Sequence, residues 1–276
     1  MTGTVLITGC SSGFGEATAR VFAERGWNVI ATMRRPELGG DLAKLDRVLV
    51  TRLDVQDEVS IAAAIDEGIA RFGHIDVVVN NAGFGLSAIF EGVPRTKVQE
   101  QFDVNVFGVM DLIRAILPHF RSRRAGVIVN VSSGVGIFGV PMISLYNASK
   151  FALEGFSEAL AYELAAVGTT VKIVEPGAAP STRFPSRSGS EIAHSSTPPD
   201  YDMFITAMGK VSRDFRNGAD EDVVEKVAAG IFNAATDGSD QLRYVLTEDI
   251  KPFIVARRET SEAEYMRFMR NFFSLK

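Results

Sequence analysis

A basic surplus, paired cysteines and long apolar runs are all missing from this sequence of 276 residues. Lys and Arg number 29 against 34 Asp and Glu, for a net charge of -5. That balance argues against a nucleic-acid surface, which needs a concentrated basic face, so an anionic ligand would have to be met locally. The single cysteine, Cys10, closes no internal disulfide and leaves no cysteine-based metal cluster, which fits a reducing, cytoplasmic setting. His74, His119 and His194 are scattered without ligand spacing, so no metal is expected. Nothing approaches the roughly 18 apolar residues of a membrane-spanning helix. The opening MTGTVLITG also lacks the basic and apolar segments of a secretory leader. A soluble protein with no removed leader is the expectation.

What is present is a regular alternation. Hydrophobic residues make up 46% of the chain, enough at this length for one large core in one domain. Short β-branched runs read as strands over 4–8, 28–32, 47–54, 76–80, 126–132, 170–175 and 243–247. Segments of helical period lie between them, over 17–24, 58–72, 96–121, 146–166 and 221–235. Several of the strand runs lack polar alternation, so both faces should be covered. The pattern predicts a Rossmann-type, doubly wound parallel sheet of about seven strands with helices on both faces.

One stretch breaks the alternation. Residues 181–202 open with STRFPSRSGSEIAHSSTPPD, rich in Ser and Pro and without sustained period. Too little chain follows for a second domain, so 181–218 reads as a mobile lid over a substrate site. The aromatic-rich tail reads as a helical extension over 249–276, with one amphipathic helix from Glu259 to Phe273.

The segment TGCSSGFG, Thr8 to Gly15, follows the first strand and opens the first helix. Gly9, Gly13 and Gly15 permit a tight turn and close approach, while Ser11, Ser12 and Phe14 place free N–H groups where a pyrophosphate would lie. Met33, Arg34 and Arg35 end the second strand where an acidic residue would favour NAD. A guanidinium there bonds a 2′-phosphate instead, by about 1.5 to 3 kcal/mol or roughly 10 to 100-fold. NADP is the expected cofactor, with NAD second.

Tyr146, Lys150, Leu153, Ser157, Leu160 and Leu164 form one stripe of one helix. A lysine on an apolar stripe needs an explanation in charge, and an ammonium one turn from a phenol stabilises phenolate. Lys150 is therefore expected to lower the Tyr146 pKa. Phe102, Asn105, Val106, Val109 and Ile113 share another helix face, which leaves the Asn105 amide among apolar neighbours in need of partners.

Four motifs in order, TGCSSGFG, NNAG (Asn80 to Gly83), YNASK (Tyr146 to Lys150) and PG (Pro176, Gly177), resemble the short-chain dehydrogenase/reductase family. The likeness covers about residues 4 to 182, and the branch it most resembles holds steroid and retinol dehydrogenases. It implies an oxidoreductase in which Asn105, Ser133, Tyr146 and Lys150 are catalytic, Ser133 lying the family's thirteen positions before Tyr146. Asn105 would interrupt its helix and hold a water leading to Lys150. Lys150 would also grip the nicotinamide ribose. Asp54 and Val55 would contact the adenine, although Asp54 could instead cap the next helix. Asn81, Ala82 and Gly83 would form a backbone platform beside the adenosine, and Pro176, Gly177 and Thr182 would complete the cofactor site; Asn80 suits the sheet end.

The pocket should draw on Phe84, Leu86 and Phe90, on Val135, Ile137, Phe138, Met142 and Ile143, and on Ala178 and Ala179. These are apolar, which points to a hydrophobic ketone, aldehyde or secondary alcohol, with Arg183 and Arg187 on the lid available to an anionic group. Other readings are a nucleotide-sugar epimerase or dehydratase, disfavoured by the glycine spacing and the short C-terminal part, and a non-catalytic cofactor sensor, disfavoured by four filled catalytic positions. The resemblance also implies a homo-dimer or homo-tetramer.

Overall fold

The computed structural model describes residues 3–182, 184, 188, 197–217 and 222–274. Seven strands form one parallel sheet: β1 (Thr4–Ile7), β2 (Asn28–Met33), β3 (Val48–Arg52), β4 (Val77–Asn80), β5 (Gly126–Val131), β6 (Thr169–Glu175) and β7 (Arg243–Val245), in the order β3-β2-β1-β4-β5-β6-β7. Order reverses between β1 and β4, which opens a crevice at the carboxyl ends of the strands, the usual ligand site of such sheets.

Two helical layers explain why β1 and β4 are buried along their whole length. Helices α1 (Gly13–Glu24) and, near the C-terminus, Val223–Thr236 cover one face, where Val5, Ile7, Phe22, Val227 and Ile231 share a core. On the other face Leu6, Val78 and Ile128 pack with residues of α2 (Glu58–Phe72), α4 (Gly108–Arg123) and α5 (Ser144–Ala165), α3 being Arg95–Phe102. Alternate residues of each strand thus feed two separate cores. Asp57 caps α2 by accepting from the N–H groups of Val59 and Ser60, so Asp54 is free of that role.

One expected helix needs correction, and two helices were not read from the sequence. The helix expected over 96–121 is not continuous: a π-helical turn, Asp103–Phe107, separates α3 from α4. Within the expected lid, residues Asp202–Asn217 form a regular helix, α6, just after the aperiodic stretch 181–202. Phe204, Met208 and Val211 give it an inward face, a spacing of four and three that the flanking Ser and Pro obscured. Following α7 (Val223–Thr236), the expected helical extension holds α8 (Lys251–Glu259), which was not read as a separate helix, and then α9 (Glu262–Phe272), the amphipathic helix expected over 259–273. Thr260 is extended, and Ser261 and Glu264 form a reciprocal capping box that starts the second helix. Arg183 and Arg187 lie outside the described residues. No helix among those described is long and apolar enough to cross a membrane.

Candidate active site

The turn after β1 has the shape its glycines require. Gly9 and Gly13 take φ of 75° and 60°, the left-handed region that side chains disfavour. A Cβ on Gly15 would stand 2.4 Å from the Gly9 carbonyl oxygen, so Gly15 serves the close approach of helix to strand and lies beneath the cleft floor. The Thr8 hydroxyl accepts from the N–H groups of Asn81 (3.0 Å) and Ala82 (2.9 Å), and Asn81 Nδ2 donates to the Thr8 carbonyl at 2.8 Å. The first and second motifs are thereby one bonded unit. Asn80 donates to Asn130, which donates to Ser157, a buried polar ladder tying β4 and β5 to α5.

A cleft of about 680 Å³ runs from this turn along the carboxyl ends of the strands. Gly9, Ser11, Ser12, Gly13 and Phe14 line it at one end, with Arg34, Asp54 and Val55 nearby and the Asn81–Gly83 platform alongside. Arg34 and Arg35 are both exposed, but only Arg34 lines the cleft; Arg35 precedes a short 3₁₀ segment, Pro36–Lys44. Pro176, Gly177 and Thr182 also line it, Thr182 beside the glycine turn at Gly13.

Ser133, Tyr146 and Lys150 meet at the centre. The Ser133 hydroxyl stands beside the Tyr146 phenol, whose anion it favours, and donates to the Pro176 carbonyl at 3.4 Å. Lys150 is 6% exposed; its Nζ donates to the Val131 carbonyl at 2.8 Å and lies 5.7 Å from the Tyr146 ring centre. Ser132, one residue short, is buried beneath the Gly134–Gly136 turn, where its Oγ would stand 2.8 Å from a Cβ on Gly136. Tyr146 is partly exposed to the cleft, and burial pushes its pKa above the ordinary value against the pull of Ser133. The lowering expected from Lys150 is not found: burial raises the value and only Ser133 opposes it. Lys150 itself is brought down to about 8 by burial, with Glu154 opposing.

Asn105 sits in the π-helical turn and does interrupt its helix. Its amide is engaged by the protein: Oδ1 accepts from Phe84 N–H (3.1 Å), while Nδ2 donates to the Phe84 carbonyl (2.8 Å) and to Ser149 Oγ (3.2 Å). Ser149 donates in turn to the Tyr146 carbonyl. Asn105 therefore locks the chain after NNAG to the helix that carries Tyr146, and it does not line the cleft.

The other half of the cleft is apolar. Phe84, Val135, Phe138, Met142, Ile143, Ala178 and Ala179 line it as expected, whereas Leu86 and Ile137 do not. Leu86 packs inward with Phe84 and Leu145. Phe90 is 64% exposed and borders a separate hollow. Sequence reasoning missed the walls supplied from a distance: Met208 and Arg213 on α6, Phe253 on α8, and Phe272 and Phe273 at the end of α9. It also missed Thr247 and Asp249, which accept from the N–H groups of Gly177 and Ala178 and hold the PG turn. Nothing local in the sequence marks either pair; only the fold brings them there.

Comparison with known proteins agrees with this site. The family model for short chain dehydrogenases matches residues 3–191. A 3-ketodihydrosphingosine reductase of Bacteroides thetaiotaomicron is 37% identical over 215 residues, covering 78% of this chain and 77% of that protein. Retinol dehydrogenase 8 of Bos taurus is 42% identical over 183 residues, 63% of this chain and 58% of that enzyme. The crystal structure of a short-chain dehydrogenase from Streptomyces avermitilis superposes with a TM-score of 0.82 at 34% identity, covering 100% of this chain and 99% of that one. With glycine turn, NNAG platform, Ser133, Tyr146 and Lys150 gathered on one cleft, the chain belongs to the short chain dehydrogenase family and is an NAD(P)-dependent oxidoreductase acting between CH–OH and C=O groups.

Proposed function

We propose that this enzyme uses NADP to interconvert an apolar ketone or aldehyde and the matching alcohol, with Tyr146 as acid and base. The observation that carries the reading is the convergence of Ser133, Tyr146 and the buried Lys150 ammonium on one cleft, at the junction of its polar and apolar halves. The residues fit a dinucleotide: Gly13 takes a left-handed φ of 60° that side chains disfavour, and Gly9 is held against Ala82, leaving bare main chain where a pyrophosphate would lie. Arg34 would meet the 2′-phosphate; Asp54 and Val55, and Asn81 to Gly83, would hold the adenosine.

When bound, the nicotinamide supplies or receives the hydride at its C4. Ser133 donates to the substrate oxygen and polarises the carbonyl. Tyr146 gives its phenolic proton to that oxygen in reduction and takes it back in oxidation. Burial keeps Tyr146 protonated at neutral pH, which suits the acid role. Lys150, charged below about pH 8, favours the phenolate left behind and binds the ribose hydroxyls. Asn105 positions the chain around Phe84 against α5 and so holds the platform and Tyr146 in register.

The apolar half supports a hydrophobic substrate. The test is cofactor oxidation with a panel of long-chain, cyclic and aromatic carbonyls, NADPH and NADH being run in parallel. Turnover with apolar ketones and preference for NADPH is the expected result; equal efficiency with both cofactors overturns the role given to Arg34.

A further inference from the structure

Phe184 touches the catalytic tyrosine from the far side of the cleft. The two ring centres lie 5.3 Å apart with planes at 56°. The tip of the Phe184 ring faces bare main chain: a Cβ on Gly85 would stand 2.8 Å from Phe184 Cζ and 3.2 Å from Cε1. The first contact is closer than side-chain carbons tolerate, so a side chain at residue 85 would make the ring, itself 38% exposed, shift from this seat. Both neighbours of the ring are bonded. The Phe184 N–H donates to Thr182 Oγ1 at 3.3 Å, and the Phe184 carbonyl accepts from Ser188 Oγ at 2.9 Å, Ser188 being 6% exposed. Thr182 in turn rests against the glycine turn at Gly13.

We propose that Phe184 is a positioning and specificity-determining residue: its ring, seated on Gly85, walls the reacting end of the cleft, excludes water from Tyr146 and packs against the apolar group next to the substrate carbonyl. The inference rests on the acid and base role given to Tyr146 above. It favours ketones whose carbonyl carries a flat or branched apolar substituent, because those present surface to the ring. Removing the ring admits water to the phenol. Burial raises a phenol pKa, so hydration lowers it toward its ordinary value near 10. Reduction needs protonated Tyr146, and activity is lost as pH rises through that pKa; the alkaline limb of reduction therefore moves down.

The test compares Phe184→Ala, Phe184→Leu, Gly85→Ala and the double variant Gly85→Ala with Phe184→Ala. Three readouts are used: the pH profile of kcat, kcat/KM for branched or aryl ketones against a small linear one, and a phenolate titration that takes the difference between each protein and its Tyr146→Phe counterpart. In Phe184→Ala the alkaline limb and the phenolate signal should both fall by about one pH unit. Discrimination for the bulkier ketones should fall about tenfold, or roughly 1.4 kcal/mol. Phe184→Leu should restore part of both, and Gly85→Ala should reproduce the defect yet add nothing in the double variant. An unmoved limb and phenolate signal, additive single effects, or a lower KM in Phe184→Ala, which would make the ring a plug, each overturns the proposal. A wild type that reduces no carbonyl overturns the function instead, and the phenolate titration still decides the placement of Phe184.

Discussion

Burial acts in opposite senses on neighbouring groups of this site, and charge decides each outcome. The Tyr146 phenol is pushed up because its anion loses water, and the Lys150 ammonium comes down to about 8 because its cation does. At neutral pH the pair therefore stands as neutral phenol beside ammonium, the state that begins reduction. In the proposed function, Arg34 is the corresponding single residue for cofactor choice. Since it is exposed, part of its charge is screened, and its value lies in a direct bond to phosphate. Arg34→Glu should lower kcat/KM with NADPH by roughly 10 to 100-fold and leave NADH within a few fold. Steady-state kinetics with both cofactors checks this; an equal fall for the two would mean that Arg34 only supports the turn.

At the scale of elements, a buried charge network ties the carboxyl end of β6 to its neighbours. Glu175 is fully buried; Arg258 of α8 reaches it at 3.2 Å, and Arg243 of β7 lies 3.6 Å away and also bonds Glu154 and Glu158 of α5. Burial first, then Glu154, raises the Glu175 carboxyl to about 7, against the lowering by the two arginines. The folded protein thus holds a proton that the unfolded chain releases above its ordinary value of 4.5. That contribution to stability is present below pH 4.5 and is lost as pH rises through 7. Glu175→Gln cannot ionise, so relative to the wild type it should gain about 3 kcal/mol, as an upper figure, between roughly pH 4.5 and 8. Denaturant unfolding of both proteins at the two pH values measures it; a difference that does not change with pH contradicts the account.

Element by element, legibility followed how local each signal was. Apolar runs such as Val77–Asn80 marked strands because helices cover both sheet faces, and α2 was read to its ends since Asp57 and Gly73 flank it. The break at Asp103–Phe107 was invisible to periodicity because its cause is tertiary: the Asn105 amide bonds Phe84 and Ser149 far along the chain. The Ser261 capping box, by contrast, was present as SEAE and could have divided the tail.

Over the whole molecule, the crossing of order between β1 and β4 places the polar and apolar halves of one cleft end to end. The motif-bearing half was legible, as glycine turn, NNAG, Ser133, Tyr146 and Lys150 each sit beside a strand end or helix start. The substrate half was legible only in part, since Met208, Phe253, Phe272 and Phe273 arrive from three C-terminal helices without any fixed spacing from Tyr146. That C-terminal wall should set substrate size. Phe273→Ala, which opens an apolar wall rather than the reacting centre, should lower KM for longer apolar carbonyls and leave kcat for short ones within about twofold, a shift worth under roughly 1 kcal/mol at the barrier. Michaelis kinetics across chain lengths reads this directly; unchanged length preference would remove α9 from the substrate site.

The central claim is that hydride transfer to an apolar carbonyl depends on the Tyr146 proton and not on cofactor retention. Its most direct test measures NADPH binding and NADPH-dependent carbonyl reduction side by side for the wild type and Tyr146→Phe. Turnover should fall by about 10² to 10⁴-fold while NADPH affinity stays within about twofold. Turnover kept near the wild-type rate in Tyr146→Phe would contradict the account.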